Sequence, residues 1–119
     1  MKLRSIVPML WVTDVAASVR FYCEHLGFSC SNQLDYWAVL ERDGVEIMFS
    51  LPNVHTPFER SMFTGSLYFQ CDQVDELWQR VKDNVTVVYP IEDFEYGMRE
   101  FAIRDNNGYL LQFGMKLDS

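Results

Sequence analysis

The side chains best suited to covalent or metal chemistry in this chain are three cysteines and two histidines. Cys23 and His25 stand two residues apart in a predicted helix, where they would point in different directions, so a nucleophilic pair is not favoured. The cysteines, Cys23, Cys30 and Cys71, lack the short spacing of a zinc site, and we expect small buried thiols. The sequence also lacks the motifs of a nucleophile elbow, a phosphate-binding loop or a zinc-binding helix, and it therefore offers no catalytic residues.

The histidines and one acidic segment have competing structural and functional interpretations. His25 lies near the end of a predicted helix, where an imidazolium would favour the helix dipole, and we expect a capping role. His55 lies between Pro52 and Pro57, and we expect a solvated loop residue. The acidic and aromatic residues at 92–96 could attract a cationic ligand, although such a run more often forms a solvated loop.

The overall composition is that of one acidic domain that binds neither nucleic acid nor membranes. The 119 residues carry a formal net charge of −7, which would repel nucleic acid and anionic membrane surfaces. No apolar run approaches the roughly 18–20 residues of a membrane-spanning helix, and no secretory signal follows the first residues, so we expect a cytoplasmic protein. Aromatic residues make up 15% of the chain, which suggests an aromatic-lined cavity or a large subunit contact.

The first half of the chain predicts one helix and four strands. Val7–Val12 is a short apolar strand, Thr13 or Asp14 offers an N-cap, and apolar residues then recur at helical spacing until Gly27. Three further strands are predicted at 28–34, 36–41 and 45–51. The dipeptide Asp43-Gly44 predicts a type I′ turn between the last two strands, because both residues tolerate positive φ angles.

The second half repeats this order of elements after a linker at 52–64. A strand at 65–71 precedes a helix that starts at Asp72 or Gln73, and three more strands are predicted at 85–89, 98–104 and 109–115. Residues 90–97 are predicted to be irregular. The β-α-β-β-β order thus recurs after roughly 59 residues, although the identity between the halves is low. One helix can cover only one face of each sheet, so the other face must meet another unit or enclose a ligand.

Two motifs resemble the vicinal oxygen chelate superfamily, and within it the glyoxalase/bleomycin-resistance group. The first comprises Val12-Thr13-Asp14, Phe21-Tyr22 and Leu26-Gly27-Phe28, and the second comprises Arg99-Glu100-Phe101, Asp105-Asn106-Asn107-Gly108-Tyr109 and Phe113. The resemblance covers nearly the whole chain. Asn106 replaces the family's usual proline, which should change the stiffness of the turn and leave the fold intact.

The resemblance implies the glyoxalase/bleomycin-resistance fold. This is an α+β fold of two βαβββ modules, whose mixed sheets curve around a cavity. It places module one at about 1–51 and module two at about 65–119 of a single domain, residues 1–119. It also implies a homodimer, in which modules can exchange between subunits so that each pocket is built from two chains.

Metal-dependent members of the superfamily hold a divalent ion with four side chains, and the matching positions here are Val7, Glu46, Ser66 and Gln112. Only Glu46 is a good ligand, because valine has no donor atom and the other two are weak neutral donors. A divalent ion that acts as a Lewis acid needs several imidazole or carboxylate donors. We therefore expect no metal and no cofactor.

If the former metal positions face the cavity, strand alternation marks one face of each sheet as the lining of a pocket. That face mixes aromatic, methionine and polar side chains, which suits a small-molecule site. The other face is apolar and should lie under the helices; it comprises Leu10, Val12, Ile47, Phe49, Leu67, Phe69, Leu111 and Phe113. The predicted ligand-binding residues are Trp11, Trp37, Glu46, Met48, Ser66, Tyr68, Arg99 and Gln112.

Several of these residues have structural alternatives. Trp11 and Tyr68 could seal a dimer interface, and Trp37 could belong to the core. Glu46 could be solvated, ion-paired or an anchor for a ligand cation, and in a dry cavity it would need a hydrogen-bond donor. Arg99 is a candidate for that donor, with a surface salt bridge as its alternative.

Together these features favour binding over catalysis. The expected function is metal-free sequestration of a small cationic or aromatic molecule in a homodimer cavity, with Glu46 and Gln112 orienting the ligand. The alternative is a divergent metal-dependent lyase or isomerase of the glyoxalase type that uses Glu46 as general base. A third possibility is an interaction module whose cavity is filled by side chains.

Overall fold

Alternating apolar residues in the first half of the chain build a mixed sheet with one helix packed on it. The computed structural model describes residues 1–52 and 58–118. The first unit contains β1 (Met9–Trp11), α1 (Val15–Leu26), β2 (Ser29–Leu34), β3 (Trp37–Arg42) and β4 (Val45–Ser50). The strand order is β1-β4-β3-β2, in which β1 runs parallel to β4 and the other pairs are antiparallel.

Helix α1 begins and ends where the sequence predicts. The Asp14 carboxylate accepts a hydrogen bond from the Ala17 amide at 3.0 Å, and Gly27 ends the helix with a φ of 71°. The buried stripe of the helix includes Tyr22, whose ring lies 4.9 Å from that of Phe49 on β4. The helix therefore covers the apolar face of the first sheet.

The turn between β3 and β4 confirms the prediction of a type I′ hairpin. Asp43 and Gly44 have φ angles of 53° and 83°, which match the twist of the flanking strands. This tight turn sets the register in which Ala38 pairs with Phe49.

The second unit has the same design. It contains β5 (Leu67–Gln70), α2 (Val74–Val81), β6 (Thr86–Asp93), β7 (Met98–Arg104) and β8 (Leu110–Lys116), with the strand order β5-β8-β7-β6. Trp78 of α2 lies 5.1 Å from Phe101, and the ring of Phe113 stacks at 5.2 Å on Phe101 and 5.0 Å on Phe69. Helix α2 thus covers the apolar face of this sheet, and the predicted α+β fold of two βαβββ modules is confirmed.

The prediction that residues 90–97 are irregular is wrong for their first half. Strand β6 continues to Asp93 and includes Pro90. It lies at the edge of the sheet, where a proline without an N–H group is tolerated, and its pairing with β7 shifts register between Val87 and Glu92. Only residues 94–97 form the turn into β7.

The contacts of the described chain divide into two compact units, Met1–Ser61 and Met62–Ser119.

Most of the apolar face predicted to lie under the helices is buried, whereas Leu67 and Phe69 are half-buried. None of the three cysteines forms a disulfide, and all three are half-buried, so the expectation of buried thiols is met only in part. His25 lies in the last turn of α1 against the ring of Phe21, and His55 falls outside the described residues. Among the helices of the described chain, none is long and apolar enough to cross a membrane.

Candidate functional site

A buried carboxylate lies on the face of the second sheet opposite α2. Glu100 of β7 is only 1% exposed. The hydroxyl of Tyr68 donates a hydrogen bond to its Oε1 at 2.7 Å, and the hydroxyl of Tyr89 donates to its Oε2. The Tyr96 hydroxyl also acts on this carboxylate and lowers its pKa. The hydroxyl groups of Tyr68 and Tyr89 therefore replace water that Glu100 has lost.

Hydrogen bonds extend this group along the sheet. Gln112 of β8 donates from Nε2 to the Tyr89 hydroxyl at 2.8 Å and lies 3.5 Å from Glu100 Oε2. Ser66, just before β5, donates to Gln112 Oε1. We call the six residues of this network the Glu100 cluster: Ser66, Tyr68, Tyr89, Tyr96, Glu100 and Gln112.

A glycine makes room for the cluster. Gly114 of β8 pairs with Glu100 across the sheet, and the Tyr68 ring lies over it. A Cβ atom at Gly114 would come within 2.8 Å of Tyr68 Cζ and 3.1 Å of Met98 Cε. The missing side chain at Gly114 thus lets the Tyr68 hydroxyl reach Glu100.

The hydrogen bonds keep Glu100 ionised. Burial alone would raise the pKa of this carboxyl, but the three tyrosine hydroxyls outweigh burial and hold it below its ordinary value. The same contacts act on the tyrosines in the opposite direction. Burial, and then the hydrogen bond to Glu100, raise the pKa of Tyr89 to about 12 and that of Tyr96 to about 12, and they also raise the pKa of Tyr68.

Aromatic rings cover this negative charge. Phe94 packs edge-on against Tyr89 at 5.5 Å and stacks on Tyr96 at 5.3 Å. Tyr68 remains 41% exposed and Tyr96 59% exposed. The second unit therefore presents aromatic rings to solvent above an ionised carboxylate.

The structure brings three of the predicted site residues of the second unit together, and Arg99 lies apart from them. Ser66, Tyr68 and Gln112 all belong to the Glu100 cluster. Arg99 projects to the opposite face of β7, where it binds Asp75 of α2 at 2.8 Å and Asp93 of β6 at 2.9 Å. These hydrogen bonds hold the pKa of Asp75 below its ordinary value. The surface salt bridge considered as the alternative for Arg99 is thus the arrangement observed.

The predicted residues of the first unit line the face of its sheet opposite α1. Strand register places Trp11 and Trp37 on either side of Ser50, which resolves the face of Trp37, and both tryptophans are half-buried. We call these three residues the tryptophan row. Met48 lies in the next row of the face, beside Met9.

Glu46 is exposed at the far end of that face. It stands opposite Glu41, and no ion pair involves it in the described part of the chain. Of the three possibilities considered for Glu46, the structure shows a solvated charge.

The residues at the metal positions do not fit a divalent ion. Val7 has no donor atom. Ser66 and Gln112 are hydrogen-bonded to each other, and Gln112 is also hydrogen-bonded to Tyr89. Throughout residues 1–52 and 58–118, no three His, Cys, Asp or Glu side chains are close enough together to hold a metal ion. A ligand set of neutral serine and glutamine would bind a Lewis-acidic metal weakly.

Sequence reasoning missed Tyr89 and the role of Glu100, and it considered Tyr96 only as part of the acidic and aromatic segment 92–96. Alternation along β7 does give a signal, because Glu100 and Ala102 fall on the face opposite the core residues Phe101 and Ile103. The hydrogen-bond partners of Glu100 come from β5, from β6 and from the turn after β6, which no local pattern in the sequence connects.

Comparison with known proteins identifies the family. Residues 4–113 match the model of the Glyoxalase/Bleomycin resistance protein/Dioxygenase superfamily. A bleomycin resistance protein of Geobacillus stearothermophilus is 30% identical over 129 aligned positions, which cover 95% of this chain and 97% of that protein. The chain belongs to the glyoxalase/bleomycin resistance protein/dioxygenase superfamily.

Solved structures share the fold. A protein of unknown function from Agrobacterium tumefaciens superposes with a TM-score of 0.83 at 22% identity, over 98% of this chain and 97% of the other. A lactoylglutathione lyase from Agrobacterium tumefaciens superposes with a TM-score of 0.73 at 19% identity, over 94% and 92% of the two chains. At these identities the likeness establishes the fold alone.

Proposed function

We propose that this protein binds and sequesters a small cationic or aromatic molecule without a metal ion and without chemical turnover. The single observation that carries the proposal is the composition of the sheet faces opposite the helices. Each unit places aromatic and polar side chains there, including the tryptophan row and the Glu100 cluster. Such a mixture of rings and a few polar groups is typical of ligand sites.

The tryptophan row is suited to stacking. Trp11 and Trp37 flank a small serine, and Trp11 also packs edge-on against Phe58 at 6.0 Å. We expect a planar ligand to stack on the part of the indole rings that remains accessible. Each favourable aromatic contact contributes about 0.5–1.5 kcal/mol beyond the area that it buries. Two such contacts together with the neighbouring Met48 would supply a substantial part of the affinity for an aromatic ligand.

Three further points support binding over catalysis. The donor set does not fit a Lewis-acidic metal, as described above, and Glu46 is exposed to solvent, where nothing in the described chain positions it against a substrate as a general base requires. The relative from Geobacillus stearothermophilus is named for resistance to bleomycin. We extend the proposal to a cytoplasmic homodimer with the ligand in a dimer cavity.

Calorimetric titration of chelator-treated protein tests this function. Bleomycin, the drug in that relative's name, is the first probe, followed by a panel of aromatic cations and neutral aromatics. We expect saturable binding of at least one probe. We also expect Trp37→Leu to weaken it by roughly 2- to 13-fold, the equivalent of about 0.5–1.5 kcal/mol. Tyr36→Leu is the matched control, because Tyr36 is an exposed aromatic residue one position outside β3.

Equilibrium dialysis against Ni²⁺, Zn²⁺ and Mn²⁺ tests the metal-free part of the proposal. We expect less than stoichiometric retention of each ion. One tightly held ion per chain, with lyase or isomerase turnover that Glu46→Gln abolishes, would contradict the proposal and support a glyoxalase-type enzyme. Failure of every probe in the panel to bind would contradict it as well.

A further inference from the structure

We propose that the Glu100 cluster is a cation-selective subsite, which recognises the ammonium or amidinium group of an organic ligand. The inference rests on the proposed small-molecule function and names the chemical class that this wall of the site prefers. Two observations support it: the hydrogen-bond donors of the cluster are already used within the cluster, and the Glu100 carboxylate at its centre is not ion-paired with any described residue.

The donors of the cluster are committed internally. The hydroxyl groups of Tyr68 and Tyr89 donate to Glu100, and that of Ser66 donates to Gln112. The amide of Gln112 donates to Tyr89. A hydroxyl group has one hydrogen but two acceptor lone pairs. The cluster therefore offers a ligand acceptor oxygens and ring faces, and it favours a ligand that brings its own N–H donors.

Within the part of the chain that the structure describes, the charge at the centre has no protein counter-ion. Over the described residues, no Lys, Arg or His forms an ion pair with Glu100. Arg99, its neighbour in sequence, is occupied by two aspartates on the other face. By strand alternation Lys116 shares the face of Gln112, but it is exposed at the end of β8 and forms no ion pair with another described residue. The negative charge is thus left available to a bound cation.

Two tyrosines connect the buried carboxylate to the surface. A hydroxyl that donates to a carboxylate becomes more electron-rich, because hydrogen bonds in a chain polarise one another. Tyr68 is exposed and hydrogen-bonded to Glu100, and the exposed Tyr96 interacts electrostatically with the same carboxylate. The rings of these two tyrosines are therefore the accessible part of the charged group. A cation over a tyrosine face gains about 0.5–2 kcal/mol. A neutral ligand of the same shape lacks this gain.

A pair of nearly isosteric probes tests the selectivity. Benzamidine is a cation at neutral pH, and benzamide has almost the same shape without the charge. We expect amide chemical shifts in nuclear magnetic resonance titrations to report about tenfold tighter binding of benzamidinium, with the largest changes near Tyr68 and Gln112. Glu100→Gln should reduce the preference to within about twofold. Glu24→Gln, an exposed change on α1, is the matched charge control and should retain it.

A second substitution guards against loss of folding in Glu100→Gln. Met98→Lys would place an ammonium group beside Tyr68, where Met98 Cε lies now, and should lower the benzamidinium preference relative to Met98→Gln. Equal binding of the two probes to the native protein, or a preference that persists in folded Glu100→Gln, would overturn the inference and leave the binding function standing. Binding of neither probe, together with failure of the wider panel, would overturn both.

Discussion

Glu100 keeps its charge in a nearly dry position because tyrosine hydroxyls replace its lost water. A buried carboxylate without partners is costly, whereas hydrogen bonds to charged groups contribute about 1.5–3 kcal/mol each. The arrangement depends on Gly114, since a side chain there would occupy the space of the Tyr68 ring. At the scale of single residues, tyrosine hydroxyls stabilise the ionised Glu100 carboxylate, and Gly114 provides the space that Tyr68 needs to reach it.

Gly114→Ala should lower the free energy of unfolding by about 1–3 kcal/mol, the usual cost of an overpacked site. The new Cβ would meet the Tyr68 ring and push its hydroxyl away from Glu100. Chemical denaturation measures the loss. In a Tyr68→Ala background most of the cost of Gly114→Ala should disappear. An undiminished cost in that background would show that the Tyr68 contact is not its cause.

The tyrosines of the cluster should ionise at a higher pH than ordinary tyrosines. Unfolded tyrosine ionises near pH 10, whereas burial and the Glu100 carboxylate raise the pKa of Tyr89 to about 12. The stability linked to this shift is fully present below about pH 10 and is lost as the pH rises through about 12, because the unfolded state releases its proton first. Phenolate absorbance, compared with that of Tyr89→Phe, follows the ionisation. In Glu100→Gln the Tyr89 transition should move towards pH 10, and an unchanged transition would contradict this account.

At the scale of elements, Arg99 joins the first turn of α2 to strands β6 and β7. Its guanidinium binds Asp75 through several N–H groups and Asp93 through one more. This contact holds the helix against the hairpin that carries Tyr89, Tyr96 and Glu100. Arg99 therefore contributes to the site by positioning elements, from the face of the sheet that the cluster does not use.

Arg99→Gln should lower the melting temperature more than Arg99→Lys, because lysine keeps the charge but cannot bind two carboxylates through a planar fork. The decrease in melting temperature caused by each of the two substitutions should be smaller in 1 M salt, because salt screens the charges. Thermal unfolding followed by circular dichroism measures the order. Arg20→Gln, an exposed change on α1, is the control and should have little effect. Equal effects of the two Arg99 changes would contradict the role of the fork.

At the scale of the whole molecule, the two units each leave one sheet face without a helix. These faces carry exposed apolar side chains such as Met9 and Tyr68 beside the polar groups. Burial of such faces against a ligand and a second copy would remove apolar area from water, which favours association. The proposed homodimer belongs at this scale, because no single residue determines it.

Light scattering with size-exclusion chromatography should give twice the 14.0 kDa mass of one chain. A labelled and an unlabelled population, mixed and then separated, should exchange subunits at a rate that falls when ligand is bound. A mass of one chain at micromolar concentration would contradict the homodimer. It would leave the binding proposal to be tested on the monomer.

Local patterns in the sequence predicted α1, the Asp43-Gly44 turn and the order of the strands, because caps, turns and periodicity depend on neighbours along the chain. The same patterns failed at Pro90–Asp93, where the position of β6 at the edge of the sheet permits a strand that contains proline. Whether a strand lies at the edge is a property of the assembled sheet.

The candidate site was likewise predicted in part from the sequence and determined in part by the assembled sheet. The family resemblance pointed to Ser66 and Gln112, and strand alternation added Tyr68 to the same face; the structure joins the three in one network. Only the tertiary structure decided that Glu100 lies at its centre and that Trp11 and Trp37 flank Ser50. Both arrangements depend on the register between strands distant in the chain, which is determined by packing of the whole sheet and not by any local pattern.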